Sequence, residues 1–394
     1  THYTLHTTHY TLLFSLFTIR DRSKRLICVI YSMNTYPDCT LVTGCYNLNS
    51  MHRGARTAEE LIQAMKAVLE MPCYLVIYCD SSLAPAMITA RAKNGFSKQT
   101  VIHEVPFDQL WCYQFLDKVK ENRTHYHPTA DERTSAETHL LTCNKFDFVL
   151  QAMEENPFST SKFGWIDSVS RENMAKICEN YNHSILYSAL RATTEKFHIQ
   201  ILNVCDKKFM KKENKREYYQ QYRWVVCGSF FTCGLEVGKK VLNRLKENVR
   251  ETTELGYGHG EEMFYLEILD EFYDDIVRSY GDYGQILNNF ARPRVNIWYI
   301  VQCIVKGYSQ KSYHRECYDC CKALINEIES YSINVPYDMM MDIYFHYYLS
   351  AFYYKREEAR GIADKIRDIC YVNPYFKAVY DSNRDFYGSQ LSYA

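Results

Sequence analysis

The sequence predicts an α/β protein: a mostly parallel, Rossmann-like sheet with helices between its strands, followed by an all-α module of helical hairpins. Three observations predict this. Apolar runs alternate with amphipathic segments from Thr40 to Asp167, two of those runs end in a carboxylate (Cys79-Asp80 and Ile166-Asp167), and strand signals vanish from Val295 onward. Strand and helix in alternation imply parallel pairing through right-handed crossovers. Asp80 and Asp167 should then share one edge of the sheet, the edge where open α/β folds collect their ligands.

The elements follow in order. Leu41 to Tyr46 reads as the first strand. Thr57-Ala58-Glu59-Glu60 is a capping box, and it opens a helix with Leu61, Ile62, Met65, Val68 and Leu69 on one face. Pro72 stops that helix, and Tyr74 to Cys79 is the next strand. A helix over about 82–93, a strand from Thr100 to Val105 and a helix near 108–120 come next. Thr134-Ser135-Ala136-Glu137 is a second capping box and predicts a helix running through Ala152 to Asn156-Pro157, before the strand Phe163 to Asp167. Beyond it, Phe197 to Val204 and Trp224 to Thr232 read as strands, and 235–250 and 261–273 as helices. The last four segments, about 295–306, 312–329, 337–354 and 357–370, pair as hairpins that resemble tetratricopeptide units without keeping an even period of ~34 residues. We therefore expect a sheet domain over 39–292 and a helical module over 293–394. Residues 1–38, whose first twelve residues nearly repeat themselves, are expected outside the folded unit, with initiation at Met33.

Composition narrows the function classes. A length of 394 residues suits two or three domains, and a formal net charge of −1 offers no field to draw nucleic acid or an anionic membrane. Thirty-five tyrosines supply bulky apolar area whose hydroxyls need partners when buried. The 16 cysteines are scattered through apolar runs, as reduced core cysteines are. The dense group Cys317, Cys320 and Cys321 lacks a second pair at zinc spacing, so it reads as core on a helix. No apolar stretch reaches the ~18 residues of a membrane span, and a cytoplasmic location is expected. The chain carries no dinucleotide fingerprint, P-loop or nucleophile elbow.

The motifs Thr43-Gly44-Cys45-Tyr46, Arg56 to Leu61, Val76 to Asp80, Asn144-Lys145-Phe146, Asn156-Pro157-Phe158, Phe163 to Asp167 and Gly228 to Phe231 stand in the order seen in HtrL/YibB-like proteins. The chain resembles that family over about 40–290, and through it the GT-A glycosyltransferases. The resemblance implies a GT-A-like fold, a nucleotide-sugar donor, a glycan or protein acceptor, and a divalent metal, Mn²⁺ or Mg²⁺, on the diphosphate. Trp165 stands where the first acid of an Asp-x-Asp metal motif would be, which puts metal dependence in doubt.

On this reading Asp167 is the candidate metal ligand, with His259 as a second; the competing account makes Asp167 a helix cap. Asp80 is suited to accept a hydrogen bond from base or ribose, or equally to cap the helix beginning near Ser82. Thr43 and Tyr46 resemble residues that line the nucleotide in the GT-A class. Arg56, Arg91 and Lys145 are candidates to offset diphosphate charge, with a solvated helix face as the alternative, favoured for Arg91. Lys145 lies one helical turn from Leu141 and Phe148, which points to partial burial. Gly228 and Ser229 would floor a sugar pocket, and Gly281-Asp282-Tyr283 would close it or simply turn the chain. Glu261 or Glu262, after the glycine-rich stretch from Gly256, is the candidate base for the acceptor hydroxyl, against an ordinary acidic helix start. The basic run Lys207 to Arg216 reads as a solvated face or a lid. The rival to an enzyme is a non-catalytic interaction protein: a degenerate transferase domain whose C-terminal helices hold a protein partner.

Overall fold

The computed structural model describes residues 36–48, 56–125, 135–168, 182–258, 260–294 and 296–383. From Tyr36 onward they form one compact unit. A seven-stranded sheet runs through it in the order β3-β2-β1-β4-β6-β5-β7. The strands are β1 (Cys39–Cys45), β2 (Tyr74–Cys79), β3 (Thr100–Glu104), β4 (Lys162–Ile166), β5 (Phe197–Ile201), β6 (Val226–Gly234) and β7 (Ile276–Tyr280). β1 pairs in parallel with β2 and β4, and β2 with β3. β6 runs antiparallel to both β4 and β5, and β5 is parallel to β7. The α/β class with a mostly parallel sheet and a helical C-terminal region is therefore the one the sequence predicted.

Both faces of the sheet are covered, which is why β1 and β2 are apolar almost throughout rather than alternating. On one face, Leu41, Cys45, Leu75 and Ile77 pack against α1 (Ala58–Leu69) and α2 (Ala84–Lys93). The capping box of α1 is formed: Glu60 N–H donates to Thr57 Oγ1 at 3.2 Å, and Thr57 N–H to Glu60 Oε2 at 2.8 Å. On the other face, Val42, Val76, Phe163 and Trp165 pack with α4 (Ala136–Cys143) and α5 (Lys145–Glu155). That core continues without a break into the C-terminal helices α9 (His314–Tyr331), α10 (Tyr337–Tyr354), α11 (Arg356–Val372) and α12 (Pro374–Ser382), through Leu324, Phe345 and Ile362. The helices α3 (Leu116–His125), α6 (His183–Arg191), α7 (Leu235–Glu254) and α8 (Tyr265–Glu271) complete the set used below.

Several elements differ from expectation. The helix expected near 108–120 becomes two 3₁₀ turns, Phe107–Gln109 and Trp111–Phe115, and the α-helix starts only at Leu116. The helix expected over 134–156 is broken at Asn144, whose buried Oδ1 accepts the Cys112 N–H at 3.0 Å. Its cap is Ser135, which accepts from Thr138 N–H at 3.1 Å, while Thr134 lies outside the described residues. The structure adds the strand β7 and the helices α6 and α12. Cys317, Cys320 and Cys321 are free thiols buried on α9, as expected of core cysteines. Among the described residues no helix is long and apolar enough to cross a membrane.

Candidate active site

Parallel pairing fixes the geometry of the rim. β2 and β4 lie on either side of β1 and run with it, so Asp80 and Asp167 leave the same edge of the sheet. Two strand spacings separate them laterally, about 10 Å.

Asp80 is half-buried and fastens two exit loops together. Its Oδ2 accepts the Asn47 N–H at 2.6 Å, and its Oδ1 accepts the Ser82 N–H at 3.0 Å together with the Ser82 hydroxyl. The N-cap of α2 is Leu83, so Asp80 shapes the turn before that helix rather than capping it. Asp80 also lines an open cleft of about 550 Å³, with Tyr46, Asn47, Glu104, Phe107 and Tyr113 among the other walls.

An aromatic bridge leads from this cleft to Asp167. Tyr46 stacks on Phe148 at 6.1 Å, and Phe148 on Trp165 at 6.3 Å, with each pair of planes 8° apart. Gly44 makes room for it, since a Cβ there would come within 2.8 Å of the Phe148 ring. Trp165 and Asp167 project from the same face of the chain, and the indole Nε1 donates to Asp167 Oδ1 at 2.6 Å. The residue in the first-acid position thus supports the acid that follows it.

The centre of the cluster is Lys145, at the first turn of α5 and 1% exposed. Its Nζ donates to Glu261 Oε1 at 2.7 Å, to the Gly228 carbonyl at 3.0 Å and to Asp167 Oδ1 at 3.2 Å. Burial by itself would lower the Lys145 pKa, but Asp167 and Glu261 outweigh it and hold the group charged, well above the usual lysine range. The break at Asn144 is what aims this side chain at the rim. Gly228 must lack a side chain, because a Cβ there would stand 2.9 Å from Glu261 Oε1. Ser229 contributes its carbonyl, which accepts the Asp167 N–H at 2.9 Å, and its hydroxyl, 3.1 Å from the Tyr283 hydroxyl. Glu262, beside Glu261 and equally buried, has its pKa pushed up to about 7 by desolvation. The Tyr222 hydroxyl donates to its Oε2.

The sequence-predicted residues therefore divide. Lys145, Asp167, Gly228, Ser229, Glu261 and Glu262 converge, and Tyr283 joins them. Tyr46 and Asp80 meet at the cleft. Arg56 is exposed just ahead of α1. Thr43 is fully buried on the Leu41 and Cys45 face and does not line the cleft. His259 lies outside the described residues. Arg91 is neither a rim cation nor solvated: it is buried and donates to the carbonyls of Leu69, Met71 and Cys73 at 3.0, 2.6 and 2.9 Å. It locks the end of α1 to the start of β2. In the basic run Lys207 pairs with Asp270 and Lys215 with Glu267, while Lys208, Lys211, Lys212 and Arg216 are exposed, as a solvated face would be. Sequence reasoning missed Tyr222, for which there was no signal, and the role of Trp165, which its i, i+2 spacing from Asp167 could have given.

The divalent ion implied by the resemblance can be tested against this donor set. Among the described residues no three His, Cys, Asp or Glu side chains converge as metal ligands. The Oδ1 of Asp167 already accepts from an indole and an ammonium. With Lys145 in place, the residues do not fit a divalent ion.

Comparison with known proteins finds a family match over part of the chain. Residues 37–215 match the HtrL_YibB family, described as a bacterial protein of unknown function. The resemblance read from the motifs is thus borne out over that stretch. The matched segment includes Asp80, Lys145 and Asp167, while Gly228, Glu261 and Glu262 follow it. No curated protein matches the chain. Among solved structures, the apo form of mouse xyloside xylosyltransferase 1 is similar over 61% of this chain and 84% of its own, at 10% identity and a TM-score of 0.35.

Proposed function

We propose that the protein is a glycosyltransferase that moves a sugar from a nucleotide-diphosphate donor to the hydroxyl of a glycan or protein acceptor. The nucleoside takes the cleft beside Asp80, where carboxylates face ribose hydroxyls and aromatic walls face the base. The sugar and diphosphate cross the rim from that cleft toward the partly exposed Asp167, with Arg56 available to the phosphates.

Glu262 is the base. Glu261 is committed to Lys145, whereas Glu262 is desolvated and poised near neutrality, where a group can both accept and release a proton. Its carboxylate takes the proton of the acceptor hydroxyl, the freed oxygen bonds to the anomeric carbon, and the bond from that carbon to the diphosphate oxygen breaks. The nucleoside diphosphate leaves with the electron pair, and Glu262 later returns its proton to solvent. Ser229 and Tyr283 position the sugar.

The observation that carries the reading is the meeting, at one sheet edge, of an acid-lined cleft and a cluster of buried Lys145 and Glu261 with the half-buried Asp167, beside a second carboxyl of raised pKa. The test is a melting-temperature screen against UDP-, GDP-, ADP- and CDP-sugars, followed by donor hydrolysis with any that bind. One donor class should raise the melting temperature, and Glu262→Gln should keep that shift while losing turnover. No shift with any donor would favour the interaction-protein reading instead.

A further inference from the structure

We infer that the ammonium group of Lys145 is the resident cation of this rim, occupying the place between Asp167 and Glu261 that a divalent ion would take. The corollary that a nucleoside diphosphate binds without metal rests on the transferase reading; the occupancy itself does not.

The coordination of Nζ carries the inference. An ammonium has three N–H groups and no acceptor, and here each has one oxygen: a carboxylate of β4's exit, a carboxylate of the 261–264 turn, and a carbonyl of β6. All three N–H groups are used, and the lysine itself is shut from water at 1% exposure, with Asp167 on the open side of the shell. A fourth side of the cation faces the Trp165 ring, 5.3 Å from its centroid. Mg²⁺, Mn²⁺ and Ca²⁺ seek the same hard oxygens at about 2.0–2.6 Å. Ion and ammonium therefore compete for the same lone pairs, and two cations cannot share the pocket. Two carboxylates that converge on one point, from β4's exit and from the 261–264 turn, are stabilised by a positive charge between them. Lys145 supplies it covalently, from the first turn of a helix whose start is fixed by Asn144.

Deleting the amine should turn the pocket into a metal site. Lys145→Ala leaves Asp167, Glu261 and the Gly228 carbonyl, an all-oxygen set with room for a partly hydrated ion. The experiment compares wild type and Lys145→Ala by thermal melting in EDTA and in MnCl₂ alone, with no nucleotide. Wild type should not move, and the variant should gain about 5 °C at saturating Mn²⁺. If Lys145→Ala is unfolded in EDTA, its refolding on addition of Mn²⁺, followed by circular dichroism, is the same result. Lys145→Ala with Glu261→Gln should lose the response, because one anionic ligand is gone. A wild-type shift with MnCl₂ alone, or no Mn²⁺ response from the single variant, overturns the inference. Binding of nucleoside diphosphates is measured separately on wild type. Binding unchanged by EDTA supports the corollary, and binding that requires Mn²⁺ overturns it. No binding under either condition overturns the transferase reading, while the melting data still decide the place of the cation.

Discussion

Asp80 and Asp167 end strands on either side of β1 and reach the same rim, yet they are held in opposite ways. Asp80 is held by neutral donors, the N–H groups of Asn47 and Ser82, and looks onto an open cleft. Asp167 is held by an indole and by an ammonium that is itself sealed in the interior. A carboxylate held by backbone N–H groups at the mouth of a cleft stays open to a ligand. The Asp167 side chain is still 34% exposed, but its cation is in the core, and removing that partner is a folding event. One half of the rim is thus built to receive and the other to hold charge still.

The largest expected effect lies on the buried side. Lys145→Met strands two carboxylates and should cost about 3–5 kcal/mol, measured by urea denaturation at pH 7. A loss no greater than that of an exposed lysine would break the comparison.

Glu262 sharpens it through pH. Its carboxyl titrates at about 7 in the fold against 4.5 for the ordinary group, so the native state binds the proton more tightly than the unfolded chain. Stability from this group is therefore highest below pH 4.5, declines as pH rises, and is fully lost above about 7. The full swing is on the order of 3 kcal/mol. Glu262→Gln should remove that slope, so that its stability relative to wild type increases between those pH values. Parallel pH profiles for the two proteins would rule the buried, titrating carboxyl out.

Gly44→Ala tests the bridge between the halves. A Cβ 2.8 Å from the Phe148 ring must push the stack aside, at a cost of about 1–3 kcal/mol, with a changed near-ultraviolet circular dichroism signal from Tyr46 and Trp165. An unchanged spectrum would show that the stack is not held against β1.

What the sequence revealed and what it hid follow the range of the forces involved. Strands β1 to β4, the Thr57 cap and the shared edge of the two acids were legible because periodicity and capping are local. The break at Asn144 was not, because its cause is the Cys112 N–H docking from 32 residues upstream. Strand β7 was hidden by Arg278 and Ser279, which interrupt its apolar run. The reversal of β6 leaves no trace in its own residues, since an apolar strand reads the same in both directions. Partial burial of Lys145 was read from a helical spacing to Leu141 and Phe148; the break at Asn144 puts Leu141 on a different helix, and the burial is complete. Its partners were not legible, because Glu261 lies 116 residues away and arrives only through the fold.

Asp80→Ala is the smallest expected effect on stability and the most informative about ligand. Loss of the bonds from Asn47 and Ser82 resembles loss of a helix cap, about 1 kcal/mol, because the freed N–H groups lie at the rim where water replaces the carboxylate. If the cleft receives a nucleoside, the same substitution should weaken nucleoside diphosphate binding about tenfold, equivalent to about 1.4 kcal/mol, by calorimetry. Lys145→Met should show the reverse proportion, with a large loss of stability. Were Asp80→Ala to unfold the protein while leaving ligand affinity intact, Asp80 would be the structural acid, and the division of the rim into a receiving half and a holding half would be the wrong way round.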